Sequence, residues 1–561
     1  MINKFIFINR NYPHINRYKE IISILIKHGF GDFVTKSNLY KYLGIRKKKI
    51  FNEPKTAHLS RYERIRIVLE ELGPTFIKFG QIMSNRPDLL PPEMIIELEK
   101  LQSAVTHFDA KEVRELIEKE LKQPIVSLFS YFNDQPVAAA SIAQVHKAVL
   151  QNGSTVAVKV QRPNIEKTIN IDLEIMHHIA VLAERHMRSA RLLNLTGIVR
   201  EFERTIKKEI DFSYEASNIE RFSYNFRDDK TVYIPKVYKQ YSSKKILTME
   251  FIEGIKISDV QSLSKFGNNP KVLAARGVNA VLKQVFEHGF FHADPHPGNI
   301  FALKNDVICF LDFGMVGTLL PRHKEYLSQM ILGVINKDPK KITHALVELS
   351  LSNEVKKLEM LEYRIFELVE SFLNIPLKDI NTGQVLNDLL KIIVDHNLKI
   401  PPNIYILLKA LVIIEGVGRK LDPNFNMIKH LKPKAKKVLR FYLHPKKLTK
   451  DIFLSAADTI FLLRDLPMDI KVLTEQIKQG HIKIEFEHRG LEDMLSKHDQ
   501  ISNRISFAIV LAALIIGSSL IVLSGIPPIW NGIPIIGIIG FLTAGIMGFW
   551  LLISILRHGR M

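Results

Sequence analysis

Cysteine is almost missing from this sequence. Cys309 is the only one, so the chain cannot form an internal disulfide bond, and a reducing compartment is its natural location. The first fifty residues also lack a long apolar segment followed by a small-residue cleavage site, so no secretory signal is expected. The chain has 561 residues, of which 46% are hydrophobic, and this is enough for more than one folded unit.

Acidic residues are absent from one long, basic stretch. Residues 423–450 contain no Asp or Glu but nine basic residues: Lys429, Lys432, Lys434, Lys436, Lys437, Arg440, Lys446, Lys447 and Lys450. The formal net charge of the chain, +20, allows either nucleic acid or an anionic membrane surface as a partner. A run of one sign is often only a solvated surface, but this run precedes two apolar segments, which favours binding to anionic lipid headgroups. No recognised nucleic-acid-binding module accompanies the charge, so no nucleic-acid partner is expected.

Charge is missing altogether from two segments near the C-terminus. Residues 506–526 and 529–556 are uncharged, and each is long enough to span a bilayer. Gly540, Ala544 and Gly548 recur every four residues, which predicts close packing of the two helices. A transporter is disfavoured because neither segment contains an ionisable residue.

The charges that flank these segments predict their orientation. Arg504 precedes the pair, Arg557 and Arg560 follow it, and the connecting turn has no charge. The positive-inside rule therefore predicts a hairpin in the inner, cytoplasmic membrane of the cell, with both ends in the cytoplasm.

Polar residues with related chemistry cluster between His292 and Gly314. Asp294 lies two residues after His292, Asn299 lies five residues after Asp294, and Asp312 opens an Asp-Phe-Gly segment after an apolar run. This order matches a protein-kinase catalytic loop followed by its metal-binding segment. Asn299 and Asp312 are predicted to hold Mg²⁺ against the phosphates of ATP, and Asp294 to orient or deprotonate an acceptor hydroxyl.

A lysine is predicted to face this site from a β-strand. In residues 155–161, three valines at alternate positions are interleaved with a second set that includes Lys159. Since strand side chains alternate between two faces, Lys159 lies opposite the valines. A lysine that faces a cleft needs an anion, which nucleotide phosphates or a helix carboxylate would supply, so Lys159 is a predicted catalytic residue.

Three carboxylates follow in a stretch whose pattern predicts one helix from Glu201 to Phe222. Asp211 and Glu215 are four residues apart and would share a helix face, whereas Glu209 would be rotated about 200° from Asp211 on a regular helix. The three carboxylates therefore cannot all serve one partner. Glu215 is predicted to pair with Lys159.

Six segments, in this order, resemble the UbiB/AarF family of protein-kinase-like proteins. They are Lys78-Phe79-Gly80-Gln81, Ala138-Ala139-Ala140-Ser141, Val156-Ala157-Val158-Lys159, Glu209-Ile210-Asp211, His292-Ala293-Asp294 to Asn299, and Asp312-Phe313-Gly314. The resemblance implies an α+β, bilobal protein-kinase-like fold with an N-terminal helical extension, followed by a C-terminal two-helix transmembrane hairpin. It also implies that the extension folds over the nucleotide cleft, with Glu209 and Asp211 facing Lys78. The regulatory candidates are therefore Lys78, Gly80, Gln81, Glu209 and Asp211.

The glycine-rich phosphate loop of ordinary kinases is replaced by alanines. By resemblance, the loop that contacts the nucleotide comprises Val137, Ala138, Ala139, Ala140, Ser141, Ile142, Ala143 and Gln144. Alanine does not tolerate the positive backbone angles open to glycine, so this loop should be stiffer. The remaining residues predicted to bind the cofactor are Lys159 and Glu215, together with Glu250 and Phe251 of a hinge that offers backbone groups to adenine.

The expected regions are an N-terminal helical segment (1–59), the helical extension (60–129), an N-lobe (130–254), a helical C-lobe (255–445), a basic linker (446–504) and the hairpin (505–557). The C-lobe lacks an Ala-Pro-Glu segment, so the protein-substrate machinery of ordinary kinases is not expected. The resemblance implies a membrane-anchored atypical kinase or ATPase that uses ATP and Mg²⁺. It would support isoprenoid-quinone biosynthesis, of ubiquinone or menaquinone type, or membrane lipid homeostasis.

The partners implied by the resemblance are prenylated quinone precursors and membrane-bound biosynthetic enzymes. The alternative is a nucleotide-binding pseudokinase that acts as a scaffold for such enzymes. Retention of Lys159, Asp294, Asn299 and Asp312 together favours chemistry, because a pure binder would not require the base-like Asp294.

Overall fold

The computed structural model of the protein describes residues 12–37, 39, 59–86, 89–101, 108–187, 190–191, 193–351, 358–372, 382–396, 398–442 and 491–558, with short pieces between 466 and 478. The chain divides into two compact units between Asp451 and Ile452. Lys446, Lys447, Lys450 and Arg560, which the sequence singled out, lie outside the described residues.

Helices precede the first strand. They are α1 (Tyr12–Lys27), α2 (Gly31–Lys36), α3 (Arg61–Leu72), α4 (Pro74–Met83), α5 (Pro92–Glu99), α6 (Ala110–Leu121) and α7 (Ile125–Leu128). At the start of α3, Ser60 Oγ accepts a hydrogen bond from the Glu63 N–H, and the Glu63 carboxylate accepts one from the Ser60 N–H. Gly73, at φ +91°, ends α3, and Pro74 begins α4 at once. This turn sets the direction of α4, which carries Lys78.

A five-stranded antiparallel sheet follows these helices. Its strands are β1 (Phe129–Phe132), β2 (Ala138–Ala139), β3 (Ala143–Leu150), β4 (Thr155–Gln161) and β6 (Ile246–Glu250), in the order β1-β3-β4-β6 with β2 on β3. The β4 valines are fully buried in an apolar cluster with Val113 and Ile117 of α6. Lys159 pairs in register with Val145 and Leu247 on the other face, which confirms the predicted alternation.

Three helices follow β4 in the chain: α8 (Ile165–His186), α9 (Leu195–Glu209) and α10 (Phe212–Phe226), of which α10 packs against β6. The prediction of one helix from Glu201 to Phe222 is wrong at Asp211. This residue has an extended backbone and accepts a hydrogen bond from the Ser213 N–H, so it is the N-cap of α10. Asp is among the preferred N-cap residues, because its side chain satisfies a free N–H of the first turn.

The second half of the first unit contains short strands and many helices. The strands are β5 (Val232–Tyr233), β7 (Ile255–Lys256), β8 (Phe290–His292), β9 (Ile300–Ala302), β10 (Ile308–Phe310) and β11 (Val316–Thr318). One sheet has the order β5-β10-β9-β7, and β8 pairs with β11. Helices α11 (Val260–Lys265) and α12 (Pro270–Lys283) precede β8, and a π-helical turn, Gln284–His288, continues α12. Such turns are frequent at functional sites.

The described residues after β11 are mainly helical, as predicted for the C-lobe. The helices are α13 (Pro321–Asn336), α14 (Pro339–Leu349), α15 (Leu358–Ser371), α16 (Thr382–Asp395), α17 (Pro402–Leu421) and α18 (Met427–Tyr442). Their apolar faces belong to the same large buried cluster as the elements around Lys159.

The second unit contains α19 (Leu491–Ser524) and α20 (Ile535–His558), joined by a turn with the short strands β12 (Ile529–Trp530) and β13 (Ile533–Pro534). Both helices include a segment that is long and apolar enough to cross a membrane, Ile501–Ser524 and Ile535–Ile553. At Gly540 a Cβ would lie 2.1 Å from Ser518 Oγ, so the predicted small-residue seam is a close helix contact. The predicted α+β fold, with its N-terminal helices and two apolar C-terminal helices, is confirmed.

Candidate active site

Lys159 and Glu215 form a buried ion pair between the sheet and α10. Lys159 Nζ lies 2.8 and 3.0 Å from the two carboxylate oxygens of Glu215. The side chains are only 14% and 6% exposed. Burial alone would lower the pKa of Lys159, but the attraction of Glu215 and Asp312 outweighs burial and raises this pKa above its usual value. Lys159 therefore brings a positive charge into the site, paired as predicted.

Asp312 reaches the same lysine from the loop between β10 and β11. Its Oδ1 lies 3.8 Å from Lys159 Nζ, and its side chain is 56% exposed and so open to a ligand. The backbone has φ +60°, a left-handed conformation that non-glycine residues seldom adopt and that is frequent at functional sites. Lys159 lowers the pKa of Asp312 below its usual value, so the carboxylate is ionised at neutral pH.

A buried histidine orders the loop that carries Asp294. His292 Nε2–H donates to the Leu311 carbonyl at 3.1 Å, and Nδ1 accepts from the Asp294 N–H at 3.2 Å. Burial lowers the pKa of His292, in keeping with the neutral ring that this pattern requires. The Gln284 side chain of the π-helical turn accepts a hydrogen bond from the His292 N–H at 3.0 Å. The ring therefore links the Asp294 loop to the residue that precedes Asp312.

Asn299 lies beside the Asp312 segment. Ile300 pairs with Phe310, and the Leu311 N–H donates to the Asn299 carbonyl at 2.8 Å, so the β9–β10 pairing places Asn299 next to the chain that leads into Asp312. Its Nδ2 lies 3.5 Å from the Asp294 carbonyl.

The oxygen ligands at Asn299 and Asp312 suit Mg²⁺. This ion usually takes one or two protein oxygens and completes its shell with water and substrate phosphates. In the described part of the chain, no group of three or more His, Cys, Asp or Glu side chains could hold a metal alone. The two residues thus fit an ion that is shared with a nucleotide.

The alanine-rich loop is a tight hairpin in which backbone groups form hydrogen bonds with one another. Ala139 pairs with Gln144, the Val137 N–H donates to Val145 O, and the Ala140 N–H donates to Ala143 O, both at 2.8 Å. Ala138, Ser141 and Ile142 complete this turn, with Ser141 and Ile142 buried.

The side chain of Gln144 is a correction to the predicted cofactor-binding set. Gln144 pairs with Val160, whose side chain belongs to the cluster beneath α6. Because adjacent residues of a strand face opposite ways, Gln144 lies on the face away from Lys159. It is fully buried there, and neither its amide nitrogen nor its amide oxygen has a hydrogen-bond partner.

Two N–H groups of the predicted hinge are used within the protein, and the binding of adenine by hinge backbone groups stays a prediction. The Glu250 N–H donates to Lys236 O at 2.8 Å, and the Phe251 N–H donates to Thr155 O at 3.2 Å. Both donors are therefore engaged within the protein, and in this conformation these two N–H groups do not reach adenine. The Glu250 carboxylate accepts from the Tyr233 hydroxyl at 2.7 Å.

The extension reaches the site through Lys78. The Lys78 ammonium contacts the Glu209 carboxylate, and both side chains are about as buried as Lys159, at 14% and 15% exposure. The expectation that Asp211 also faces Lys78 is wrong, because the Asp211 carboxylate caps α10 through the Ser213 N–H and hydroxyl. Lys78 also contributes to the lowered pKa of Asp312, after the larger effect of Lys159.

Gly80 and Gln81 hold α4 against the neighbouring helices. A Cβ on Gly80 would lie 2.2 Å from Leu101 Cδ1 and 3.0 Å from Leu69 Cδ1, so a larger residue would have to displace these leucine side chains. Gln81 Nε2 donates to the Leu101 carbonyl at 3.1 Å. These residues fix the position of Lys78 by packing and by a backbone contact.

Contacts made by Asn218 and Lys409 were not predicted. Asn218 Nδ2 donates to the Phe313 carbonyl at 2.9 Å; its position three residues after Glu215 was a usable signal, because it implies a shared helix face. Lys409 Nζ of α17 lies 2.9 Å from Asn85 Oδ1 and 2.9 Å from Glu99 Oε1, and so joins the extension to the C-lobe. No local pattern links residues this far apart in sequence.

The fold and this arrangement define a class. A strand lysine paired with a helix glutamate, beside a His-x-Asp loop and an Asp-Phe-Gly segment, is the framework of a protein-kinase-like domain. Family models match in three places: an ABC1 atypical kinase-like domain over residues 100–346, a UbiB helical domain over 365–426 and an ABC1/UbiB kinase-like C-terminal domain over 489–557.

Three known proteins are similar to long parts of this chain. A probable protein kinase UbiB of Marinobacter nauticus is 39% identical over 407 residues, which are 72% of this chain and 74% of that protein. An uncharacterized protein from a hydrogenase 1 5′ region of Clostridium pasteurianum is 35% identical over 98% of this chain and 100% of its own. A solved erythromycin complex from Mycobacterium tuberculosis is 22% identical, with a TM-score of 0.46, over 64% of this chain and 90% of that one. The chain belongs to the ABC1/UbiB family of atypical kinase-like proteins.

Proposed function

We propose that this protein binds ATP with Mg²⁺ and acts as a membrane-anchored atypical kinase or ATPase. The observation that carries the proposal is the meeting of three charges at one point: Lys159 lies against Glu215 and 3.8 Å from Asp312. A paired lysine beside an exposed carboxylate is suited to nucleotide phosphates with their metal ion.

Each residue has a separate role in this proposal. Lys159 binds the phosphates, and Glu215 holds its ammonium in place. Asp312 and Asn299 hold Mg²⁺, which when bound neutralises charge on the phosphates. Asp294, whose backbone is fixed by His292, orients or deprotonates the hydroxyl of the acceptor.

The acceptor is proposed to be small or lipid-like. Lys78 and Glu209 bring the extension to the site, which leaves little room for a folded protein substrate. Relatives called probable protein kinase UbiB support a role in isoprenoid-quinone biosynthesis, with prenylated quinone precursors and membrane-bound biosynthetic enzymes as partners. Membrane lipid homeostasis is the other pathway class.

The membrane partner is proposed to include anionic headgroups that contact α18. This helix buries an apolar face formed by Met427, Ile428, Leu431, Ala435 and Val438. Lys429, Lys436 and Arg440 are exposed on its outward side, as is Phe441 at 66%. A cationic surface with an exposed aromatic ring suits an anionic lipid surface. The two apolar C-terminal helices are proposed to anchor the chain in the inner membrane, with the kinase-like portion in the cytoplasm.

A pseudokinase scaffold is the second candidate. It is favoured by the alanine hairpin, whose Val137 and Ala140 N–H groups are used within the hairpin and are not free to cradle phosphates. Such a protein would bind nucleotide as a switch and would not need Asp294.

Replacement of Asp294 separates the two candidates. In full-length protein in lipid nanodiscs, Asp294→Asn should leave the ATP Kd within about twofold of wild type and reduce turnover about 100-fold or more, the usual contribution of a positioned base. Turnover by the variant equal to that of wild type would contradict the role of Asp294. ATP binding without any turnover by the wild type would favour the scaffold.

A further inference from the structure

The helix that carries Glu215 also holds the loop that carries Asp312. Asn218 Nδ2 donates to the Phe313 carbonyl at 2.9 Å. The fully buried Phe313 ring lies 4.9 Å from the Phe222 ring of the same helix. Glu215, Asn218 and Phe222 follow at helical spacing, so they lie along one face of α10. One helix face therefore contacts both Lys159 of the sheet and the residue next to Asp312.

Asp312 requires such support because its backbone is in a disfavoured conformation. At φ +60°, the Cβ of an L-residue is crowded by the backbone, and a free chain would leave this region. The Gly314 N–H, which donates to Asp312 Oδ1 at 3.3 Å, is a long and therefore weak local restraint. The Asn218 bond is shorter and fixes the next carbonyl along the chain, so it resists rotation of the backbone out of this conformation.

We propose that Asn218 is a positioning residue that couples the placement of α10 to the metal-binding conformation of Asp312. When α10 is seated with Glu215 on Lys159, Asn218 holds the Phe313 carbonyl, and the Asp312 carboxylate stays beside Lys159. The metal part of this proposal rests on the proposed function, because it takes Asp312 as a Mg²⁺ ligand. Asn218 itself touches neither nucleotide nor metal in this account.

The test uses the full-length chain in nanodiscs with Asn218→Ala, which removes the donor, and Asn218→Asp, which places an acceptor against the Phe313 carbonyl. Ser217→Ala, an exposed position next to Asn218, is the matched control. Two quantities are measured: the ATP Kd with Mg²⁺ and with a chelator, and amide hydrogen exchange of residues 308–318 and 212–226 without nucleotide.

Both Asn218 variants should reduce the Mg²⁺-dependent gain in ATP affinity by about five- to tenfold, as the loss of one hydrogen bond implies. The gain should be smaller in Asn218→Asp than in Asn218→Ala. The ATP Kd without Mg²⁺ should stay within about twofold of wild type. Exchange in residues 308–318 should be about tenfold faster while residues 212–226 exchange as in wild type. A merely structural role would instead lower both affinities together and speed exchange in the helix as well.

Each other outcome counts against the proposal in a distinct way. Unchanged exchange in residues 308–318 would overturn the anchoring role, even if the wild type binds ATP with Mg²⁺ as proposed. If the ATP affinity of the wild type does not depend on Mg²⁺, the proposed function and the metal coupling are refuted. Faster exchange in the Asn218 variants would still establish that Asn218 anchors the Asp312 loop.

Discussion

Lys159 and Glu215 depend on each other for their charges. Glu215 is 6% exposed, and burial acts to raise its pKa against the attraction of Lys159. Without Lys159, an ionised Glu215 would be stranded in a poorly solvated place, or it would take up a proton. Removal of one partner of a buried pair is usually more harmful than removal of both.

We therefore expect Lys159→Met to lower the free energy of unfolding by about 3 kcal/mol. The double variant Lys159→Met/Glu215→Leu should recover a large part of this loss. Denaturant titration of the full-length protein in detergent measures the free energy of unfolding of both variants. A double variant less stable than Lys159→Met would contradict the hypothesis that the two charges depend on each other.

His292 makes stability depend on pH in a predictable direction. Its folded-state pKa is lowered by burial, so below pH about 6.5 the unfolded chain binds a proton that the folded chain does not. Stability therefore falls as pH decreases through this range, until the pH reaches the folded-state pKa.

The variant His292→Gln should lose less stability than wild type between pH 7.5 and 5.5, with a slope shallower by up to about 1.4 kcal/mol per pH unit. His186→Gln, at an exposed position outside the site, is the control. Equal slopes for wild type and His292→Gln would show that His292 is not held neutral.

Side-chain direction limited what the sequence could predict at single residues. The face of Lys159 followed from the alternation of its own strand, which is a local property. The face of Gln144 relative to Lys159 depends on the register between β3 and β4, and a motif that marks a segment does not state which of its side chains point inward. The prediction that Asp211 faces Lys78 was wrong for a related reason, because capping of α10 uses the same carboxylate.

The helical extension contacts both halves of the kinase-like unit. Arg86 lies 2.5 Å from Glu201 of α9, the helix that also carries Glu209. Lys409 of α17 binds Asn85 and Glu99 of the extension. If the part that contains α9 and the part that contains α17 moved apart, the extension would have to lose its contacts with one of them. The extension is thus placed to restrain separation of the two halves, and we propose that it also limits access to Asp294.

We expect negligible phosphorylation of generic protein substrates in trans by the wild type. Lys78→Ala should change turnover more than stability, because the space left by the lysine side chain would let water reach the Glu209 carboxylate. Kinase assays with peptide and protein substrates, together with thermal denaturation, check this. Rapid phosphorylation of protein substrates by the wild type would mean that the extension does not gate the site.

The alanine hairpin gives a second prediction about access to the nucleotide. Ala139 of β2 pairs with Gln144 of β3. Ala139→Gly should therefore weaken β2 and free the loop, and we expect higher nucleotide affinity or more self-phosphorylation as a result. Nucleotide titration and phosphate incorporation measure the two quantities. If Ala139→Gly and Lys78→Ala both behave as wild type, the gating account is wrong.

At the level of elements, the sequence predicted the helix and strand boundaries that nearby residues determine. Gly73-Pro74 separates α3 from α4, and the valine strand and the C-lobe helices follow their periodic patterns. The position of the extension was available only from the resemblance, since the contacts of Lys78 and Lys409 join distant parts of the chain.

For the whole molecule, the apolar hairpin should return the chain to the side from which it came. Reporters placed after Met561 and after Tyr442, within the basic stretch, should both be cytoplasmic. Activity of paired reporters in intact cells measures this. Labelling of the C-terminus from outside intact cells would contradict the arrangement.

The order of the motifs was enough to predict the fold class, because residues at these spacings occur on a fixed series of strands and loops. The two helices that are long and apolar enough to cross a membrane were predictable from composition alone, since each contains a long uncharged run in the sequence. The acceptor was not predictable, because it depends on a pocket shape that distant elements create together.

The most direct test of the central claim is the effect of Mg²⁺ on ATP affinity in the wild type and in Asp312→Asn. The account predicts that Mg²⁺ strengthens ATP binding to the wild type, and that this gain is abolished in Asp312→Asn while the thermal unfolding midpoint stays close to that of wild type. The reason is that the exposed carboxylate supplies charge to the metal and little to the core. Equal Mg²⁺-dependent affinity in the two proteins would contradict the assignment of this site.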